Sequence, residues 1–74
     1  MEKLLAILED VRPDVDFKSE KQLIDDGILD SLDVITIVDE INDEFEIDIM
    51  PKYLTTDNFN SVKSIWALIQ QLMN

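Results

Sequence analysis

The sequence predicts an all-α fold, a small four-helix bundle of three main helices and one short one. Apolar residues recur at helical spacing in three separate stretches. The one stretch that alternates as a strand would, Ile47-Asp48-Ile49-Met50, runs into Pro51 and has no partner strand, so an extended loop is expected there. At 74 residues, 46% of them hydrophobic, there is room for one core and no more, and residues 1–74 read as a single domain.

The first helix is expected over residues 2–12, where Leu4, Leu5, Leu8 and Val11 share a face. Pro13 ends it, because the residue before a proline is pushed out of the helical region. The connection from Pro13 to Asp30 is long for a compact domain, and Phe17, Leu23, Ile24, Ile28 and Leu29 are expected to pin it to the core. A single helical turn capped by Ser19 is expected over residues 19–23. The second main helix should run from Ser31 to about Phe45, with Leu32, Ile35, Val38, Ile41 and Phe45 turned to the core. Its other face carries Asp33, Thr36, Asp39, Glu40, Asp43 and Glu44. The β-branched run Val34 to Val38 favours strand locally, but the Asp30 cap and the acidic face favour helix. One short turn is expected over residues 55–59 with Thr55 or Thr56 as cap. The last helix follows Asn60 or Ser61 and runs to Met73, burying Val62, Ile65, Ile69 and Leu72 with Trp66 on the flank.

Composition excludes several classes of function. Seventeen acidic residues against six basic ones give a net charge of −11, which repels nucleic acid and anionic lipid and favours partners with basic patches. There is no cysteine and no histidine, so disulfides, thiolate metal sites and a neutral-pH proton shuttle are all unavailable. The Asp25-Asp26-Gly27 run lacks the alternating ligands and distal glutamate of a calcium loop, and no metal site is expected. No apolar run is long enough to insert in a membrane, and residues 1–4 lack the pattern of a signal peptide; a cytoplasmic monomer is expected.

Ser31 is the residue with a role left to assign. It follows Gly27-Ile28-Leu29-Asp30 and opens the second main helix. Asp30 is a good N-cap and Asp33 can reach back to complete a capping box, so the serine is not needed as a cap. Unpaired amides and the positive end of the helix dipole suit a phosphate ester at that position. Gly27 is expected to supply a positive φ that turns the loop into the helix.

The run Leu23-Ile24-Asp25-Asp26-Gly27-Ile28-Leu29-Asp30-Ser31-Leu32-Asp33 resembles the attachment region of acyl and peptidyl carrier proteins, whose signature is Asp-Ser-Leu following a glycine. Asp43-Glu44-Phe45-Glu46-Ile47, Pro51 and Asn58-Phe59-Asn60-Ser61-Val62 extend the likeness over nearly the whole chain. The resemblance implies a non-catalytic, freestanding carrier of the same four-helix fold. Its Ser31 would receive 4'-phosphopantetheine from coenzyme A through a separate magnesium-dependent phosphopantetheinyl transferase, and the arm's thiol would hold an acyl or aminoacyl group as a thioester. By the same likeness Asp30 belongs to the surface the transferase meets, and Leu32, expected mainly as a core anchor, also lies beside the arm. The acidic helix becomes a docking surface, with Asp33, Thr36, Asp39, Glu40, Asp43 and Glu44 facing basic patches on loading ligases and on downstream transferases or synthases.

Thr36 departs from the glutamate that fatty-acid carriers place there, and Asp39 from a frequent methionine. The phrase Asp26-Gly27-Ile28-Leu29-Asp30-Ser31 looks closer to aminoacyl and D-alanyl carriers than to fatty-acid ones. In the fold so implied, Ile35, Val38, Ile49, Met50, Val62 and Ile65 are near enough to line a crevice; a lined cavity and a filled core fit the sequence equally. The reading from another class is an acidic helical adaptor that binds a basic partner without covalent modification. An enzyme is the third, since paired carboxylates would need a cleft that so small a bundle hardly offers.

Overall fold

Each amphipathic stretch forms its helix in the computed structural model, which describes residues 2–73. The order is α1 (Glu2–Val11), α2 (Ser31–Phe45), a 3-10 turn (Pro51–Tyr53), α3 (Thr56–Phe59) and α4 (Val62–Met73). The described residues include no strand. Helix α1 packs on α2 and on α4, and the short α3 leads into α4. The core takes Leu4 and Leu8 from α1, Ile37, Val38 and Ile41 from α2, and Val62, Ile65, Leu68 and Ile69 from α4. Phe59 closes the end beneath α3, and Ile49 closes the gap after α2. Each fully buried Leu, Ile or Phe contributes about 1.5–3 kcal/mol of transfer free energy.

The long connection before α2 is ordered, as expected. Phe17, Leu23 and Leu29 are buried, with Ile24 and Ile28 packed against them, and the radius of gyration is 11.0 Å. Its backbone is also tied. The Leu23 amide donates to the Asn60 carbonyl at 2.8 Å, and Asn60 Oδ1 accepts from the amides of Ile24 and Asp25 at 3.0 and 3.2 Å. One expected detail is displaced. Turns lie instead at residues 16–20, where the Asp16 carbonyl accepts from the amides of Ser19 and Glu20, and at 22–27, where the Gln22 carbonyl accepts from the Asp26 amide at 2.8 Å; Ser19 Oγ donates to Asp16 Oδ2 at 2.8 Å rather than capping a turn after it.

The core face of α2 differs more. Leu32 and Ile35 are exposed, 74% and 52%, and Val34 and Ile37 take the places they were expected to fill. The observed stripe is Val34, Ile37, Val38, Ile41 and Phe45, in steps of three and four. The expected one began with three consecutive steps of three, and each such step slips about 60° around a 3.6-residue helix, so its first members end far from the core face. Leu32 is therefore not a core anchor.

Helix α2 ends on Glu46, whose φ of 54° is left-handed and whose amide donates to the Asn42 carbonyl. Asn42 Oδ1 also accepts from the Ile49 amide at 2.9 Å, which holds the extended stretch after the helix. Pro51 begins the 3-10 turn, where its fixed φ fits and its missing amide proton costs nothing. Thr55 caps α3 through the Asn58 amide, as expected. Ser61 Oγ caps α4 by accepting from the Ser64 amide at 3.1 Å. Trp66 packs edge-on against Phe45, ring centroids 5.9 Å apart, as a flank residue of the core.

Candidate functional site

The start of α2 is built by four residues that leave Ser31 free. Asp30 adopts extended backbone and its Oδ1 accepts from the Asp33 amide at 2.8 Å, while Asp33 Oδ2 accepts from the Asp30 amide at 3.3 Å. Both halves of the capping box are in place. Arg12, just past α1, then binds this cap. Its Nη1 donates to Asp33 Oδ2 at 2.6 Å and to the Ile28 carbonyl at 2.8 Å, so the end of α1, the incoming loop and the start of α2 meet on one guanidinium. Gly27 has a φ of 70°, with open space where a Cβ would lie. The glycine is required by the turn and not by crowding.

Ser31 is exposed, and among the described residues its Oγ makes no hydrogen bond. The amides of Ser31 and Leu32 lie in the first turn, where no intrahelical acceptor exists. Beside them runs an open groove of about 470 Å3, lined by Ile24, Leu29, Asp30, Ser31, Val34, Ile35, Leu54, Thr55, Thr56 and Phe59. Of the crevice residues expected from sequence, Ile35 alone lines this groove. Val38, Ile49, Val62 and Ile65 belong to the filled core, and Met50 is exposed elsewhere. Sequence reasoning missed Leu54, Thr55 and Thr56, because a 3-10 turn carries them to the mouth of α2 without any periodic pattern.

Local charge is partly matched. Arg12 also reaches Asp14, with Nη2 to Oδ2 at 3.0 Å and Nε to Oδ1 at 3.1 Å. The hydrogen bonds Arg12 donates to Asp14 and then to Asp33 hold its guanidinium above its usual range. In turn the Arg12 hydrogen bond, with a smaller one from its own backbone, holds the Asp14 carboxyl below the ordinary aspartate value. Asp30 remains an exposed carboxylate next to the serine.

The six expected docking residues do not form one face. Thr36, Asp39 and Asp43 are exposed on the side of α2 away from the core, in line with Leu32. Asp33 is only 17% exposed and is engaged by Arg12. Glu40 is half-buried, with Oε2 shut from solvent and lacking a hydrogen-bond partner, and Glu44 pairs with Lys3 at 3.6 Å. The free acidic surface is therefore narrower than the sequence suggests, and an exposed leucine stands at its serine end.

These features, a long pinned loop delivering an unbonded serine to a capped helix start, agree with the family match. The chain matches the family model for the phosphopantetheine attachment site over residues 2–69 and belongs to that family of non-catalytic carrier proteins. Among curated proteins it is similar to the D-alanyl carrier protein of Lactococcus lactis subsp. lactis (strain IL1403), with 28% identity over 72 residues that make up 95% of this chain and 91% of that protein. The family's prosthetic group is 4'-phosphopantetheine, held covalently. The helix start suits it: a solvent-facing hydroxyl free to form an ester, first-turn amides available to phosphate oxygens, and a groove alongside. None of the described helices is long and apolar enough to cross a membrane.

Proposed function

We propose that Ser31 is the attachment point of the arm and that the protein carries a small aminoacyl group, of the D-alanyl class, between partner enzymes. The observation that carries the reading is the unbonded, exposed Ser31 Oγ at a helix start whose capping is done entirely by Asp30 and Asp33. In the loading of the arm, Ser31 Oγ gives up its proton and forms the ester bond to phosphorus as the pyrophosphate bond of coenzyme A breaks and the nucleotide leaves. Once attached, the arm supplies a terminal thiol that holds the cargo as a thioester. Asp30 keeps the helix start in register, and Leu32, exposed beside it, offers an apolar contact to the transferase.

Three observations support a small cargo. The buried residues among those described pack as one continuous cluster, the arrangement of a close-packed core. The groove beside Ser31 is open rather than enclosed, with Thr55 and Thr56 at the wall of a mainly apolar lining. The named relative is a D-alanyl carrier. The partners of this reading are a phosphopantetheinyl transferase, an aminoacyl-loading ligase and a downstream acceptor enzyme, each presenting basic residues to Asp39 and Asp43. It describes a single carrier domain acting as a cytoplasmic monomer.

Intact-protein mass before and after incubation with coenzyme A, magnesium and a broad-specificity phosphopantetheinyl transferase tests it. One addition to the wild type and none to Ser31→Ala is the expected result. No addition with any of several transferases would overturn the reading in favour of an acidic adaptor. Incubating the modified protein with ATP and a D-alanine-activating ligase, against a medium-chain fatty acid and its own ligase, then tests the cargo.

A further inference from the structure

Three of the six basic side chains, Lys18, Lys21 and Lys63, rim a second groove of about 520 Å3. Its apolar lining is Leu5, Phe17 and Val62, and Glu20 and Ser61 complete the wall. This concentration of positive charge is unexpected in a chain of net charge −11, and among the described residues none of the three lysines forms an ion pair. The N-terminus of α4 opens at the same place. The amides of Val62 and Lys63 lie in its first turn without intrahelical acceptors, and the Ser61 hydroxyl satisfies only the Ser64 amide. The helix dipole adds to the lysines there.

The groove is separate from the one beside Ser31, and the two share no lining residue. In the loop, residues 17–21 line one and 24–31 the other; toward the C-terminus, residues 61–63 line one and 54–59 the other. The hydrogen bond from the Leu23 amide to the Asn60 carbonyl, 2.8 Å, runs between them.

We infer that this second groove docks an acidic peptide segment of a partner protein, one that sets an apolar side chain on Leu5, Phe17 and Val62 and flanking carboxylates on Lys18, Lys21 and Lys63. Charge complementarity selects the carboxylates: three lysines and a helix N-terminus face a single acid, Glu20. The apolar floor selects a ligand that brings apolar surface with it, which a small inorganic anion does not. An anionic bilayer is a poor fit, because the lysines surround a concavity and the chain's remaining negative charge is repelled along an extended plane. A peptide seated in the groove meets three lysines and one glutamate in its lining, and charges beyond a Debye length of about 8 Å are largely screened from it. A second copy presenting its own α2 would bring a further net charge of −11 to the contact, and its self-repulsion opposes association. A partner held here leaves Ser31 and its groove free, so the inference does not depend on the arm.

Selection from a phage-displayed random peptide library tests it, with the full chain as target and the Lys18→Gln/Lys21→Gln/Lys63→Gln variant as counter-selection. The expected peptides place Leu, Phe or Trp among Asp and Glu. As synthetic peptides they shift the amide resonances of Phe17 to Lys21 and Ser61 to Lys63, weaken with added salt, and bind the triple variant at least about tenfold less well. Binding to Ser31→Ala is expected to be unchanged, which separates this result from the fate of the carrier reading. Enrichment of no peptide, of peptides without an acidic excess, or of peptides that shift α2 instead would overturn the inference. Shifts at these residues from phosphatidylglycerol vesicles, with no peptide producing them, would overturn it in favour of a membrane contact.

Discussion

Arg12 and Asp33, 21 positions apart in the chain, meet at 2.6 Å and join the end of α1 to the cap of α2. The Arg12 fork simultaneously reaches the Ile28 carbonyl and both oxygens of Asp14, a planar multi-point geometry that lysine does not reproduce. Arg12 thus positions Ser31 through Asp33 and the loop. Arg12→Lys and Arg12→Gln are each expected to slow transferase modification of Ser31 and to lower the thermal midpoint. In a double-mutant cycle with Asp33→Asn, the second substitution should cost clearly less than it does alone. Additive effects would mean that the two side chains act independently. Transferase kcat/KM and thermal unfolding by circular dichroism supply both readouts.

The cap and the serine should separate cleanly in stability measurements. Asp30→Ala removes the acceptor for the Asp33 amide and should destabilise by about 1 kcal/mol, within the usual range for lost N-caps. Ser31→Ala removes a hydroxyl that makes no hydrogen bond among the described residues and should change stability by less than about 0.5 kcal/mol. Urea unfolding of both variants checks this. A large loss for Ser31→Ala would assign the hydroxyl a structural role.

Leu32 and Ile37 show how far the sequence was legible. The helices, the Asp30 cap, the Gly27 turn and the position of Ser31 were all readable, because caps, positive-φ glycines and apolar repeats are local signals. The rotation of α2 was not, since a helix rich in isoleucine and valine offers apolar residues on more than one face and the partner surfaces choose among them. Arg12, Asn42 and Asn60 were unreadable for a related reason: their partners lie on loops whose paths only the tertiary structure defines. The exposed apolar pair Leu32 and Ile35 beside Ser31 departs from core patterning, as is expected of a surface that meets other molecules. Leu32→Ala is therefore expected to leave stability within about 0.5 kcal/mol, whereas Ile37→Ala, fully buried, should cost about 2–5 kcal/mol. Equal losses in denaturant unfolding would restore Leu32 to the core.

Asp14 links this corner of the molecule to pH. Its carboxyl is held below the ordinary aspartate value by the Arg12 hydrogen bond, so near pH 3 to 4 the native state binds fewer protons than the unfolded chain. The contribution is present in full above the unfolded value of about 3.9 and is lost as pH falls through the lowered native one. Because Asp14 is exposed, screening keeps the effect small. A carboxyl carbon-13 titration should show Asp14 protonating below the ordinary aspartate range. Arg12→Gln should return it to the ordinary range; an unchanged titration would show that its own backbone hydrogen bond dominates.

Docking at α2 should depend on which carboxylates are free rather than on how many the helix contains. Asp39 and Asp43 are exposed and make no ion pair among the described residues, whereas Glu44 is paired with Lys3 and Asp33 with Arg12. Long-range attraction to a basic partner is therefore concentrated on the first two. Asp39→Asn/Asp43→Asn should slow association with a phosphopantetheinyl transferase about two- to fivefold at low salt, with the difference shrinking as ionic strength rises. Glu44→Gln should have a smaller effect, because neutralising it also releases Lys3. Glu40→Gln belongs to a different class: its Oε2 is enclosed without a partner, and removing the charge there should leave stability unchanged or raised while altering association little. Stopped-flow association rates at two salt concentrations distinguish these cases. Equal slowing per charge removed in all three variants would mean that the partner reads the total charge of the helix and not the face the fold leaves open.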